Sequence, residues 1–269
     1  NHWPPTFLHF HDCLDDFSSL PGTDSEIVDS KENELLEKAD LVFATSKGLY
    51  NKCFSVNPNT FLIPNAVDME NFGGNSATDN IMPDELKIIP KPIIGYVGCI
   101  YEWFDFGLVV ELAKSRPNWS IVIIGPVSPV AKAELRKLAG LSNLHFLGRK
   151  DYSVIPQYMR NFDVCIMPFK LNKVIENTNP VKIYEYLAMG KPVVSVKFSE
   201  LDTFGHFVKQ AINAQEFENC IAESLREDQE YGLREQRIDF ARKNTWDERV
   251  GRINVLISES MHKNERNRF

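Results

Sequence analysis

Between residues 93 and 196, short unbroken apolar runs alternate with stretches whose apolar positions recur at helical spacing. The runs at 93–97, 120–124, 144–147, 164–167 and 193–196 are apolar at successive positions rather than at every second one, which predicts strands covered on both faces. Between them, 105–115, 130–138, 154–161 and 181–189 read as helices. In the first of these, Phe106, Val109, Val110 and Ala113 repeat at i, i+3, i+4 and i+7, so one face is apolar. Strand–helix alternation of this kind predicts an α/β fold with a doubly wound, Rossmann-like parallel sheet.

The flanks read differently. A helix is predicted over 26–38, with Ile27, Leu35, Leu36 and Ala39 available for burial, and strand-like runs follow at 41–46 and 61–64. Residues 73–92 turn polar and hold a Gly-Gly pair and three prolines, the composition of an interdomain linker. From Ala214 onward the pattern is helical. Its last helix carries a Trp246, Val250, Ile253 and Ile257 stripe behind a cap at Asn244 or Thr245, and 263–268 is expected to fray. The expected organisation is a partial first domain over 1–85, a complete second domain over 86–240, and a closing helix over 241–269 that packs back toward the first domain.

The 269 residues are 43% apolar and 25% charged, ordinary for a globular chain, and the net charge of −7 argues against a nucleic-acid partner. Cys13, Cys53, Cys99, Cys165 and Cys220 are odd in number and none forms a CxxC pair, so no disulfide framework or zinc motif is indicated and a cytoplasmic setting is expected. No apolar run reaches the roughly 18–20 residues that span a bilayer. The chain opens Asn1-His2-Trp3 with no methionine, which reads as a piece of a longer protein.

In such a sheet, ligands bind beyond the carboxyl ends of the strands, where loops enter helix N-termini. The richest of these loops is NTNPVKIYEYLAMGKPVV at 177–194. Asn179 is suited to cap the helix, and Pro180 to its first position. Lys182 in the first turn opposes the positive end of the helix dipole by a few tenths to about 1 kcal/mol, which fits a bound anion beside it. Glu185 lies one turn on, placed to accept from ribose hydroxyls. Helix spacing alone fits equally an ordinary i,i+3 pair on a solvated face.

KIYEYLAMGKPVV at 182–194 resembles the signature of the group 1 glycosyltransferases of GT-B fold. IPNAVD at 63–68, GYVGCIYEWFD at 95–105, FLGRKDY at 146–152 and FDVCIMPF at 162–169 fall in that family's order, and the set is most similar to its teichuronic-acid-type and xanthan-type branch. The resemblance implies transfer of a sugar from a UDP- or GDP-sugar to a lipid-linked or glycan acceptor in cell-surface polysaccharide synthesis. It places the enzyme in the cytoplasm, in peripheral contact with the inner membrane face, with no metal. A non-catalytic nucleotide-sugar-binding module is the alternative, and an epimerase on the same fold a weaker one.

By the same resemblance, Gly98 lets the backbone approach the donor phosphates, and Gly148 and Arg149 flank the nucleobase. Thr178, Asn179 and Pro180 face the sugar or phosphate, Lys182 the diphosphate and Glu185 the ribose. Two departures stand out. The loop after the first strand, 99–105, carries no basic residue, and Asn177 stands where retaining members carry a first glutamate, which opens an inverting route. An inverting transfer needs a general base. The cluster HFHDCLDD at 9–16 resembles the acidic dipeptide of the xanthan-type relatives, which implies Asp15 first, then Asp16 and His11. These carboxylates could instead cap a helix near 17–20, or, as DxxDD, hold magnesium.

Overall fold

The computed structural model describes residues 8–74, 81–137, 140–227 and 232–266. The opening Asn1-His2-Trp3, residues 75–80 of the expected linker and the last three residues lie outside them. Two compact units emerge. One takes in the described residues up to Asn65 together with Asn172–Asn179 and the last helix from Trp246; the other runs through Ala66–Leu171 and Pro180–Thr245. No described helix is long and apolar enough to cross a membrane.

In the first unit, β1 (Phe10–Cys13), β2 (Leu41–Ala44) and β3 (Thr60–Leu62) form a parallel sheet in that order, with Phe10 opposite Leu41 and Val42 opposite Thr60. α1 (Ser25–Lys38) and α2 (Lys47–Phe54) connect them, each capped by a side chain, Asp24 for the first and Ser46 for the second. Alternation along β2 serves two faces. Val42 and Ala44 meet Leu36, Leu49 and Cys53, whereas Leu41 and Phe43 meet Ile63 and Leu256 of the C-terminal helix. The face expected for α1 is corrected: Ile27 is 59% and Leu35 41% exposed, while Glu32 and Leu36 turn inward.

The second unit opens with α3 (Met69–Phe72) and α4 (Asp84–Lys87), whose Phe72 and Leu86 are buried. Then β4 (Ile93–Val97), α5 (Phe106–Ser115), β5 (Ser120–Ile124), α6 (Pro129–Lys137) and β6 (Leu144–Gly148) alternate as expected. A 3-10 turn at Tyr152–Val154 leads into α7 (Ile155–Arg160) and β7 (Val164–Met167). The chain next lends α8 (Lys173–Glu176) to the first unit and returns as α9 (Val181–Ala188), β8 (Val193–Val196) and β9 (Val208–Ala211). α10 (Ala214–Glu227) and α11 (Leu233–Arg242) follow, before α12 (Trp246–Arg266) closes the chain.

The six strands are all parallel, in the order β6-β5-β4-β7-β8-β9. β4 and β5 are buried at every position, which is why their sequences run apolar without alternation. The chain winds outward from β4 through β5 to β6, then resumes on the other side of β4 with β7. That reversal opens a crevice at the carboxyl ends of β4 and β7, where ligands bind in this architecture.

Three local expectations change. β9 escapes the apolar-run signal because only Val208 and Ala211 are buried. The stripe on α12 is carried by Ile253, Leu256 and Ile257, while Trp246 (42%) and Val250 (53%) stay exposed. A 21-residue helix is about 30 Å long and a four-residue strand about 13 Å, so the small sheet covers only its middle turns. The helix also continues to Arg266 through residues expected to fray.

Candidate functional site

A row of glycines closes the carboxyl edge of the second sheet. The Gly98 N–H donates to Ile124 O at 3.0 Å and the Gly125 N–H to Gly148 O at 2.9 Å, tying the ends of β4, β5 and β6 together. A Cβ on Gly98 would stand 2.6 Å from the Tyr96 hydroxyl oxygen, and one on Gly125, whose φ is +151°, would collide with Gly98 O. Gly148 has φ +70° but open space around it. Gly148 therefore leaves the end of β6 bare, whereas at Gly98 and Gly125 the space a Cβ would need is taken by the Tyr96 hydroxyl and the Gly98 carbonyl. Gly125 was not anticipated; its signal is the Ile124-Gly125-Pro126 break straight after a buried strand.

α9 is pinned to this edge by Tyr186. Its buried hydroxyl accepts from the Val97 N–H at 2.8 Å and donates to Val97 O at 3.4 Å. One turn back lies the expected pair: Lys182 Nζ donates to Glu185 Oε2 at 2.6 Å. Glu185 is 1% exposed, so the alternative of a solvated surface pair is corrected. Tyr152 completes the group, its hydroxyl donating to Glu185 Oε1 at 3.2 Å and its ring lying 5.5 Å from the Lys182 ammonium. Phe72 packs edge-on against that ring. Tyr152 sits in the FLGRKDY stretch but had no assigned role; only the fold brings it to α9.

Burial pushes the Glu185 carboxyl above the ordinary carboxylate range, and the Lys182 charge holds it back only in part. A carboxyl with a raised folded pKa carries its proton longer in the folded state than in the unfolded chain. Stability therefore falls as pH climbs from the ordinary carboxylate range through the raised folded value, by about 1.4 kcal/mol for each pH unit separating the two. Glu185→Gln lacks this component. Its urea midpoint, relative to wild type, is expected to rise with pH across that window; a difference that stays flat removes the raised carboxyl.

The helix cap departs from expectation. Pro180, at φ −75° and ψ 113°, is the cap residue and α9 starts at Val181, with no side-chain capping bond. Asn179 is engaged elsewhere. Its side-chain oxygen accepts from the Asn65 N–H at 3.1 Å, and its backbone oxygen from the Asn65 amide at 2.7 Å. The Thr178 hydroxyl donates back to Val174 O at 2.6 Å. Arg149 is exposed and makes no ion pair among the described residues.

At the carboxyl end of β1, the acidic cluster splits into unlike environments. Asp16 is buried and accepts from the Ser18 hydroxyl at 2.9 Å, the Ser19 hydroxyl at 2.8 Å and the Asn177 amide at 2.9 Å, with the Lys52 ammonium at 3.5 Å. Burial alone would raise its pKa, but these hydrogen bonds and Lys52 outweigh it and hold the carboxyl below the ordinary range. Asp15 is half-buried, and its carboxylate takes no hydrogen bond among the described residues. Burial raises its pKa. His11 turns toward Glu32, its Nε2 3.7 Å from Glu32 Oε1, and the neighbouring Cys13 and Glu32 raise its pKa to about 9.

A cavity in the second unit, about 860 Å³, is lined by Asp105, Phe169, Lys170, Lys197 and Ile212 among others. Neither Lys182 nor Glu185 reaches it. Here charge geometry and the sheet crossover, rather than concavity, mark the candidate site.

A family model described as glycosyl transferases group 1 matches residues 91–227, just over half of the chain. A curated protein of Bacillus subtilis strain 168, TuaH, named as a teichuronic acid biosynthesis glycosyltransferase, is 27% identical over 175 residues, which are 63% of this chain and 43% of that protein. The chain thus spans less than half the length of that relative. Solved structures share the fold. Anabaena HepE (Alr3699) in complex with UDP superposes with a TM-score of 0.71 at 19% identity, covering 94% of this chain and 72% of that one. Sucrose-phosphate synthase of Thermosynechococcus elongatus gives 0.72 at 19%, covering 90% and 64%. The α/β architecture is of GT-B type, and the order of motifs along it has the same origin: the chain belongs to the group 1 glycosyl transferases.

Proposed function

We propose that the second unit binds a nucleoside-diphosphate-sugar and serves transfer of its sugar to a lipid-linked or glycan acceptor in cell-surface polysaccharide synthesis, at the cytoplasmic face of the membrane. The observation that carries this reading is the Lys182–Glu185–Tyr152 cluster at the N-terminus of α9, beside the glycine edge. The ammonium and the N–H groups that open α9 supply positive charge for a diphosphate without a catalytic metal. Each Glu185 oxygen is used once, which leaves lone pairs for the hydroxyls of a ribose. HepE was solved with UDP and with UDP-glucose, which supports a uridine donor. The loop after β4 lacks cations but presents Tyr101 and Trp103 stacked with centroids 5.0 Å apart.

Calorimetric titration with UDP, GDP and their monophosphates tests the donor site. One diphosphate is expected to bind, and its monophosphate markedly less well; equal binding of the two would take the second phosphate away from Lys182.

Asp15 is the base this reading assigns, because its carboxylate is unengaged whereas that of Asp16 anchors its loop. Asp15→Asn is expected to slow nucleoside-diphosphate release in the presence of a polyprenyl-linked acceptor by roughly 10²–10⁴-fold, with donor affinity unchanged. Unaltered turnover would move the base elsewhere. No turnover even in wild type would favour the binding-module alternative.

A further inference from the structure

The donor reading leaves unused a set of polar side chains in the core of the first unit. His11 and Cys13 are two residues apart on β1 and so leave the strand on the same face. There they meet Glu32 of α1, with Cys53 of α2 in hydrogen-bond reach of Cys13. Glu32 Oε1 lies 3.4 Å from Cys13 Sγ and 3.7 Å from His11 Nε2. All three ligand atoms lie within 4.8 Å of one another. Their surroundings are Leu36, Val42, Ala44 and Leu49. Glu32 is only 8% exposed, and the enclosed His11 Nε2 makes no well-formed hydrogen bond.

We propose that His11 Nε2, Cys13 Sγ and Glu32 Oε1 bind a divalent cation of the zinc class that stabilises the first unit. Ligand atoms 2.0–2.3 Å from a tetrahedral zinc stand roughly 3.3–3.7 Å from one another, which is the spacing found about Glu32 Oε1. An imidazole, a thiolate and a carboxylate are zinc's own donor types, and a thiolate disfavours magnesium and calcium.

Charge is the obvious objection, since Lys52 stands 2.7 Å from Glu32 Oε2. Lys52 is itself balanced by Asp29 at 2.9 Å and Asp16 at 3.5 Å. It engages Oε2 and so orients the carboxylate with Oε1 toward His11 and Cys13, the kind of outer contact that tunes metal ligands. A divalent ion facing one thiolate, one carboxylate and a neutral imidazole then completes a neutral site. Without an ion, the same groups form an ion-paired core cluster of protonated His11 against Glu32.

Cobalt titration of the full chain, stripped with chelator and dialysed, separates the two states of affairs. The expected result is one Co(II) per chain, a thiolate-to-cobalt charge-transfer band displaced by Zn(II), and a Tm that rises with either metal. Cys13→Ser and His11→Gln, each checked for native circular dichroism, should both abolish the band. Cys99→Ser, which alters an exposed thiol, should leave it intact. A wild-type chain with neither band nor Tm shift overturns the proposal. So does a band that survives in whichever of the two ligand variants folds, or one that Cys99→Ser removes.

Discussion

Lys182→Ala lowers affinity for the donor nucleoside diphosphate by roughly 10- to 150-fold, the equivalent of about 1.5–3 kcal/mol for a charge-assisted hydrogen bond. Three features make this the largest binding effect expected of one side chain. Lys182 is the cation in the first turn of α9, where a positive charge opposes the helix dipole unless an anion answers it. Its side chain is a quarter exposed and paired with Glu185. The loop after β4 offers no second cation to share the load. Removing Lys182 also strips the buried Glu185 of its counter-charge, which raises that carboxyl further and lowers stability at neutral pH. Loss of binding must therefore be separated from loss of fold. The double variant Lys182→Ala with Glu185→Gln removes the unpaired carboxylate, so it should recover stability but not affinity. Calorimetry on the single and double variants reads both. A Lys182→Ala chain that binds UDP and GDP as wild type does would remove Lys182 from the site.

The parts of this site legible in the sequence are those that local rules fix. Val181–Ala188 follows Asn179-Pro180 and ends before Gly190, and strands buried on both faces announce themselves as unbroken apolar runs. Pairings that depend on the crossover are a different matter. Tyr152 follows the end of β6 and Glu185 belongs to α9, so nothing in the sequence between two residues 33 positions apart ties their side chains together. The cap shows how a tertiary contact overrides a local preference: Asn179 is a good capping residue, yet its oxygen is held by the Asn65 N–H, 114 positions away. The resemblance put Asp15 ahead of Asp16, but nothing in the local sequence showed how their surroundings differ. Only the serines, Asn177 and Lys52 gathered around Asp16 separate them. Cys13 was passed over for the same reason, since His11, Cys13 and Glu32 follow no chelating spacing until β1 and α1 bring them together.

Gly125→Ala is expected to destabilise the second unit by about 2–5 kcal/mol, combining backbone strain with overpacking at a tight contact. Gly125 ends β5 at φ +151°, a conformation that L side chains rarely adopt, and its added methyl would run into Gly98 O. That oxygen cannot withdraw freely. The same residue's N–H is bonded to Ile124 O, and Gly125 itself is bonded onward to Gly148 O. Relief must therefore pull the end of β4 away from β5, or β5 away from β6, at the edge where the proposed function puts the donor diphosphate. The substitution should accordingly reduce nucleotide affinity as well as the urea midpoint. Gly148→Ala supplies the contrast: its φ of +70° is also left-handed, but the added methyl meets nothing within 4 Å. Strain alone then operates, at about 1–2 kcal/mol. Urea unfolding of the two variants side by side should place Gly125→Ala well below Gly148→Ala. Equal midpoints would mean that the glycine row yields easily, and that the carboxyl edge is not the rigid floor a diphosphate site on β4 requires.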